Sequence, residues 1–372
     1  MNIDIFSVRG MARLFTELAH IQRWSEYTTI QDEASKQGLN AFITYILTAE
    51  LRNRGMNLRI GEFPQIILYH AFQKNVFCDI RTSFLDFYKA HGVHGEDIEE
   101  YIKKVMGDYI SGDLKDYILN FDRGSTEALV YQISMKIGTY LEVREFKHMF
   151  FSKKEYVLKR QEIHKELMDL TKGNRRLRGA VKKLISTPYM EIFHKAFTLN
   201  NRIRWAKRQS RIKCGDLTHM FETGVLAWMR AMDLGESEEK AAIVFFAGIY
   251  HDFPETFTGD MPSTVKNAIP NMRAATEELE RYMMNKHFYR KIPKHLRNAI
   301  KRIMIEENPE IKKDVKPADN LAAIWECWKQ LKKEPYFAGV ILTDGEKMSQ
   351  EMGEKYLHIF NEDIKPLAEE NI

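Results

Sequence analysis

Apolar residues recur along most of this chain at steps of three and four, the spacing that gathers them on one face of an α-helix. Leu321, Ile324, Trp328 and Leu331 form one such stripe, with Pro317, Ala318 and Asp319 read as its helix start and Asp319 as a natural cap. Met220, Val225, Trp228, Met229 and Met232 form a second stripe, and Leu279, Tyr282 and Met283 a third. Alternating patterns closed by hairpin turns are scarce. The expectation is an all-α fold. The longest apolar run, Ala241 to Tyr250, falls short of the ~20 residues of a membrane span and reads as a buried helix.

Composition supports this picture. With 44% hydrophobic and 29% charged residues the chain of 372 is neither disordered nor fibrous, and 20 glycines and 10 prolines are few breakers for helices. The balance of 56 basic against 52 acidic residues, +4, does not by itself argue for nucleic acid. Cys78, Cys214 and Cys327 are odd in number and far apart, which argues against a disulfide framework or thiolate zinc cluster. A reducing, cytoplasmic setting is expected, and the start MNIDIFSVRGMARLF has no signal-peptide pattern.

Residues 152–185 are charge-dense, and from Thr171 to Lys183 they carry Lys172, Arg175, Arg176, Arg178, Lys182 and Lys183 with no acid. Such a stretch between apolar blocks marks a boundary, read as a solvated helical connector, with a polyanion contact as the alternative. A displacement of 181 residues aligns Arg23-Trp24 with Arg204-Trp205, Tyr69-His70 with Tyr250-His251, and Phe72 with Phe253. In the same register Asp79 meets Asp260, and Glu96, Glu99 and Tyr101 meet Glu277, Glu280 and Tyr282. One ungapped register through chemically informative residues points to tandem duplication. The expected organisation is a first copy over 1–150, a basic connector over 151–190 and a second copy over 191–372.

The chemistry lies in GIYHDFPETFTGDMPSTVK, residues 248–266. His251 and Asp252 offer a nitrogen and a carboxylate oxygen, ligands for a divalent first-row metal. Glu255 follows Asp252 by three, one helical turn along, and Gly259 and Pro262 should end that helix. With His219 upstream and Asp319 downstream, four ligands from three helices could meet inside a bundle. Taken singly, a histidine such as His219 is more often a hydrogen-bonded or surface residue than a ligand, and Asp252 and Glu255 read as solvent-facing acids.

Together these residues resemble the HD-domain superfamily of metal-dependent phosphohydrolases. Arg204-Trp205, His219, HDFPE at 251–255 (His-Asp, then Glu255 three residues on), TGDMP at 258–262, Lys266 and VKPAD at 315–319 look like its branch of bacterial 5′-deoxynucleotidases. The likeness covers about 191–345, and the tail loosely. It implies that His219, His251, Asp252 and Asp319 bind one divalent metal (Mn, Co, Fe, Ni or Zn, with Mg also admitted). It further implies that Glu255, with Asp252, manages the proton of the attacking water or leaving group, and that Arg204 holds the phosphate. Trp205 would press on the sugar and favour deoxyribose, while Asp260 and Lys266 would contact substrate. Leu217-Thr218 before His219 departs from the Ser-Glu that relatives often carry.

In the first copy the 181-residue register puts Gly38 opposite His219, Ala71 opposite Asp252, Lys74 opposite Glu255, and Gly138 or Thr139 opposite Asp319. Only His70 survives. One imidazole cannot hold a metal against water, so 1–150 is expected to be a metal-free, inactive copy. Relatives are commonly homodimers, and two copies packed together would form an internal pseudo-dimer, leaving a monomer or weak homodimer; a regulatory pocket at Arg23 and Trp24 is the alternative. The implied reaction is removal of phosphate from nucleoside 5′-monophosphates, deoxy ones first. The alternatives are hydrolysis of a dNTP or modified nucleotide, and a nucleotide-sensing or nucleic-acid-binding regulator using Arg175, Arg176 and Arg178. No membrane partner is expected.

Overall fold

Asp32 has an extended backbone, and its carboxylate accepts from the backbone N–H of Ser35 at 2.7 Å, capping a helix of 21 residues whose first sixteen are all buried. A helix buried on every side sits at the centre of a fold, not on its flank. In the computed structural model, which describes residues 1–23, 31–78, 88, 91–202, 204, 215–259, 261, 263–331 and 335–371, this helix is α2 (Glu33–Asn53), preceded by α1 (Ile5–His20). The N-terminal half continues through α3 (Phe63–Phe77), α4 (Gly95–Met106), α5 (Gly112–Leu119), α6 (Thr126–Glu145), α7 (Lys153–Leu170) and α8 (Arg175–Leu184). The C-terminal half comprises α9 (Thr187–Phe197), α10 (Asp216–Asp233), α11 (Glu238–Tyr250), α12 (Glu255–Thr258), α13 (Ser263–Ala268), α14 (Met272–His287), α15 (Lys294–Ile303), α16 (Pro309–Gln330), α17 (Pro335–Met352), α18 (Glu354–Ile359) and α19 (Lys365–Glu369), the last two joined by a π-helical turn. The fold is all-α; among the described residues the only ladder contact is one isolated bridge between Gln22 and Asp32.

The helices of the two halves follow one another in the same order. α9, α10, α14, α15, α16 and α17 begin about 180 residues after α1, α2, α4, α5, α6 and α7, close to the displacement of the repeated residues. One apolar core runs through both halves. α2 packs against α10, with Gly38 so close that a Cβ there would lie 2.7 Å from the carbonyl oxygen of Leu217. Phe42 stacks on Tyr250 with centroids 4.1 Å apart, and the Tyr250 hydroxyl donates to the Phe42 carbonyl at 2.8 Å. Thr218 donates to the buried carboxylate of Asp32, and Tyr45 to the carbonyl of Ala299.

The run Ala241–Tyr250 is buried within α11. Two local expectations change. The helix carrying Asp319 starts not at Pro317 but at Pro309, where Asn308 caps it and proline fits the first turn; Pro317 and Asp319 lie in its interior. Leu279 and Tyr282 are exposed, because α14 turns Thr276, Glu280 and Met284 inward instead. The basic stretch forms the amphipathic α8, which buries Leu177, Ala180, Val181 and Leu184; Lys183 pairs with Glu50 at 2.9 Å and Arg176 donates to the carbonyl of Gly55. Cys78 is exposed and Cys327 buried, while Cys214 lies outside the described residues.

Close approach of α1 to the turn before α5 depends on Gly10, where a Cβ would fall 1.6 Å from the Tyr109 carbonyl oxygen. Gly10→Ala therefore requires backbone displacement and is expected to lower unfolding free energy by about 3 kcal/mol, read from urea denaturation.

Candidate metal and phosphate site

Three helices of the C-terminal half bring the site together. His219 lies in the first turn of α10, His251 follows the last residue of α11, and Asp319 projects from the middle of α16. After Tyr250 the chain makes a tight turn through Asp252 and Pro254, with the Glu255 N–H donating to the Asp252 carbonyl at 3.1 Å, before α12 begins. Asp252 and Glu255 thus sit on adjacent turns, not on one continuous helix. Gly259, at φ +83, ends α12.

A ligand atom from each of His219, His251 and Asp319 lies within 4.8 Å of the others. The Nε2 atoms of His219 and His251 are 2.9 and 3.5 Å from Asp319 Oδ1. Donors about 2.1 Å from one ion are separated by about 3–4 Å, so the spacing suits a shared cation. The protonation pattern agrees. His251 Nδ1 faces the Gly248 carbonyl at 2.7 Å, and a carbonyl can only accept, so Nδ1 carries the hydrogen. In its neutral form the ring turns the lone pair of Nε2, buried and without a hydrogen-bond partner among the described residues, toward Asp252 Oδ2 at 3.1 Å and Asp319, a place a proton or a metal ion can fill. Lone pairs facing lone pairs in a buried pocket call for a positive charge between them. Burial disfavours a charged His251 ring, yet Asp252 and Asp319 outweigh it and raise its pKa well above the ordinary value. Two neutral imidazoles and two carboxylates would balance a divalent ion. Asp252 does not belong to the closest three-atom set, being drawn also toward Arg204 at 3.8 Å.

Arg204 stands beside this cluster. Its Nε donates to Glu326 Oε2 at 2.9 Å, and Nη1 lies 3.8 Å from Asp252 and 4.0 Å from Asp216. The Nη1 contacts are long and open to exchange for a phosphoryl oxygen, the group a planar guanidinium fork fits best. Glu255 is half-buried; its carboxylate is 3.8 Å from Arg202, which also donates to its backbone carbonyl. Lys266 lies on α13 and makes no hydrogen bond or ion pair to the cluster among the described residues. Trp205 and Asp260 lie outside the described residues.

Several residues in the site were not expected from the sequence. Glu326 bridges the two functions: Oε2 accepts from Arg204 while Oε1 meets His219 Nδ1 at 2.9 Å, with 3% of its side chain exposed. Holding the proton on Nδ1 leaves His219 Nε2 free toward Asp319, the usual duty of a carboxylate behind a metal-binding histidine. Burial pushes the Glu326 carboxyl up, but Arg204 and His219 overcome it and keep it ionised. Lys316 Nζ holds the other Asp319 oxygen at 2.5 Å. Asp216, in the first turn of α10, is pushed up to about 7, chiefly by burial. The signal for two of these was present: Lys316, Asp319 and Glu326 stand at i, i+3 and i+10 on one face of a helix, charged residues on an otherwise buried stripe.

The N-terminal half holds a different charged cluster. Arg23 pairs with Glu33 at 2.8 Å and Glu142 at 3.4 Å, and Lys36 Nζ lies 2.7 Å from Glu142. His70 Nδ1 faces Gln73, with no carboxylate beside it among the described residues, and burial foremost, then Lys74 and Arg123, pushes its pKa down to about 4. The sign follows: the folded state keeps His70 neutral while the unfolded chain takes up a proton near pH 6.5, so this residue costs stability as pH falls from about 6.5 toward 4. An NMR titration of the imidazole is expected to show no protonation above about pH 5.

Among the described residues no helix is long and apolar enough to cross a membrane. Residues 191–366 match the family model described as 5′-deoxynucleotidase YfbR-like. No curated protein and no solved structure matches the chain. HD-type phosphohydrolases of this kind depend on a metal, and the His/Asp group found here can bind one. With that match over the segment that carries the whole cluster, the C-terminal half of this chain belongs to the YfbR-like 5′-deoxynucleotidase family of HD-domain phosphohydrolases.

Proposed function

We propose that the C-terminal half hydrolyses nucleoside 5′-monophosphates, deoxyribonucleotides in preference, to nucleoside and phosphate. The observation that carries this reading is the convergence of His219 Nε2, His251 Nε2 and Asp319 Oδ1 on one point, with the Arg204 guanidinium beside it. A divalent ion held by His219, His251, Asp252 and Asp319 would lower the pKa of the attacking water and offset charge on the phosphoryl group. Arg204 binds the phosphate, exchanging its long contacts to Asp252 and Asp216 for phosphoryl oxygens. Glu255, one turn beyond Asp252, takes the proton from water and returns one to the leaving 5′-oxygen. Glu326 holds Arg204 and the His219 ring in register, and Lys316 orients Asp319. Trp205 is assigned to the sugar face, and Asp260 and Lys266 to substrate contacts.

The N-terminal half is proposed to be an inactive, metal-free counterpart that packs on the active half as an internal pseudo-dimer. The contacts support a register slightly different from the 181-residue one. Lys36, not Gly38, meets Glu142 as His219 meets Glu326, and Arg23 meets Glu142 as Arg204 does Glu326. Seven residues before Glu142, as Asp319 precedes Glu326, stands Met135. An ammonium and a thioether in place of an imidazole and a carboxylate leave no room for a cation. The expected stoichiometry is one metal per chain by elemental analysis, and light scattering should find a monomer or weak dimer.

Phosphate release from a panel of nucleotides with Mn, Co or Mg tests the activity. Inorganic phosphate from dNMPs supports the proposal. Pyrophosphate or triphosphate from dNTPs would replace it with the polyphosphate reading, and inactivity on every phosphate ester would end it.

A further inference from the structure

A second cleft, sharing no residue with the metal centre, opens between α6, α7 and α9. It encloses about 460 Å³, within the range that takes a small organic ligand. Arg144, Lys147 and Arg160 line it. None of the three has a carboxylate partner among the described residues, unlike Lys136, Lys183, Arg204 and Lys329. Arg160 has only phenols: its Nε donates to the Tyr140 hydroxyl at 2.8 Å and its guanidinium lies 5.4 Å from that ring. The one carboxylate in the wall, Glu145, is already engaged by His194 Nδ1 at 2.8 Å. Three cations in one concavity repel one another, with a single carboxylate in the wall that is turned to His194, an arrangement that favours an incoming polyanion.

The other lining is aromatic and apolar. Tyr140 and Tyr156 line it next to Arg160, and Ile185 and Met190 line it as well. Tyrosine faces and a guanidinium plane accept a flat ring by stacking, and the cations accept phosphates. We propose that this cleft is a nucleotide-binding site, taking the phosphates of a nucleoside polyphosphate at Arg144, Lys147 and Arg160 and its base against the tyrosines. The site lies where the halves join: α6 and α7 belong to the first, α9 to the second, and Phe146 meets Phe197 across the seam at 5.5 Å. From α9 the chain runs on to Arg202 and Arg204.

The test is calorimetric titration of ATP into the full-length chain bearing Asp319→Asn, which prevents turnover, with and without Arg144→Ala/Arg160→Ala. The expected result is saturable binding that the double substitution weakens at least 10-fold. Lys147→Glu, at an exposed position where folding is not at risk, should weaken it several-fold. Pyrophosphate is expected to bind at least fivefold more weakly than ATP. ATP affinity unaffected by these substitutions would overturn the site, since the binding would then belong to the metal centre. Equal affinity for pyrophosphate and ATP would overturn the role of the tyrosines. Neither outcome bears on phosphate release, which the Arg144, Arg160 and Lys147 variants should retain when Asp319 is intact.

Discussion

Asp319→Ala is expected to reduce kcat/KM for deoxynucleoside 5′-monophosphates by at least about 1,000-fold, equivalent to about 4 kcal/mol of transition-state stabilisation. The reason is its place in the cluster. Oδ1 is the one anionic atom among the three that converge, 2.9 Å from His219 and 3.5 Å from His251. Alanine leaves two imidazoles and Asp252, which leans toward Arg204, so the cation that the pocket calls for loses its nearest counter-charge. Bound metal, measured by elemental analysis after gel filtration, should fall with activity. Glu255→Ala should separate the two, slowing turnover while the metal stays bound, because Glu255 lies outside the converging set. An Asp319→Ala protein that keeps its ion and parental turnover would refute the site.

Glu326 should show a split between stability and metal affinity that no other position here offers. In Glu326→Gln the amide oxygen can still accept from Arg204, but the NH₂ now faces His219 Nδ1 and drives the ring to the other tautomer, with the hydrogen on Nε2 where a ligand lone pair is needed. Metal affinity is expected to drop about 10- to 100-fold, the usual effect of removing a carboxylate behind a metal-binding histidine. Glu326→Ala removes the buried counter-charge of Arg204 as well. Stranding one partner of a buried pair costs about 3–5 kcal/mol, and Asp216 and Asp252 near Arg204 should hold the loss toward the lower figure. Metal titration calorimetry reads the first effect and urea denaturation in EDTA the second. Parental metal affinity in Glu326→Gln would show that Glu326 serves packing alone.

The linear order carried much of this protein. Helical periodicity at Met220 through Met232 and at Leu321 through Leu331 marked two of the helices that converge on the site, because burial selects apolar residues at the same steps at which a helix turns. His219, the His251-Asp252 pair and Asp319 were legible as candidate ligands, since few chemistries need those groups together. The periodicity misread Leu279 and Tyr282, because a stripe of apolar residues says that a face exists and not which way it points.

What only the tertiary structure decided is every feature that depends on distance between segments remote in the chain. Glu326 is one glutamate among many until α16 crosses α10 and Arg204 comes beside both. Lys36 meets Glu142 at 2.7 Å between α2 and α6, a pairing of residues more than a hundred positions apart that no periodicity along the chain reveals. The cationic cleft of Arg144, Lys147 and Arg160 exists only where α6, α7 and α9 meet. A sequence records which groups are available and their spacing along one helix; which charges end up buried together is set by packing, where the effective dielectric is low and each pair counts for more.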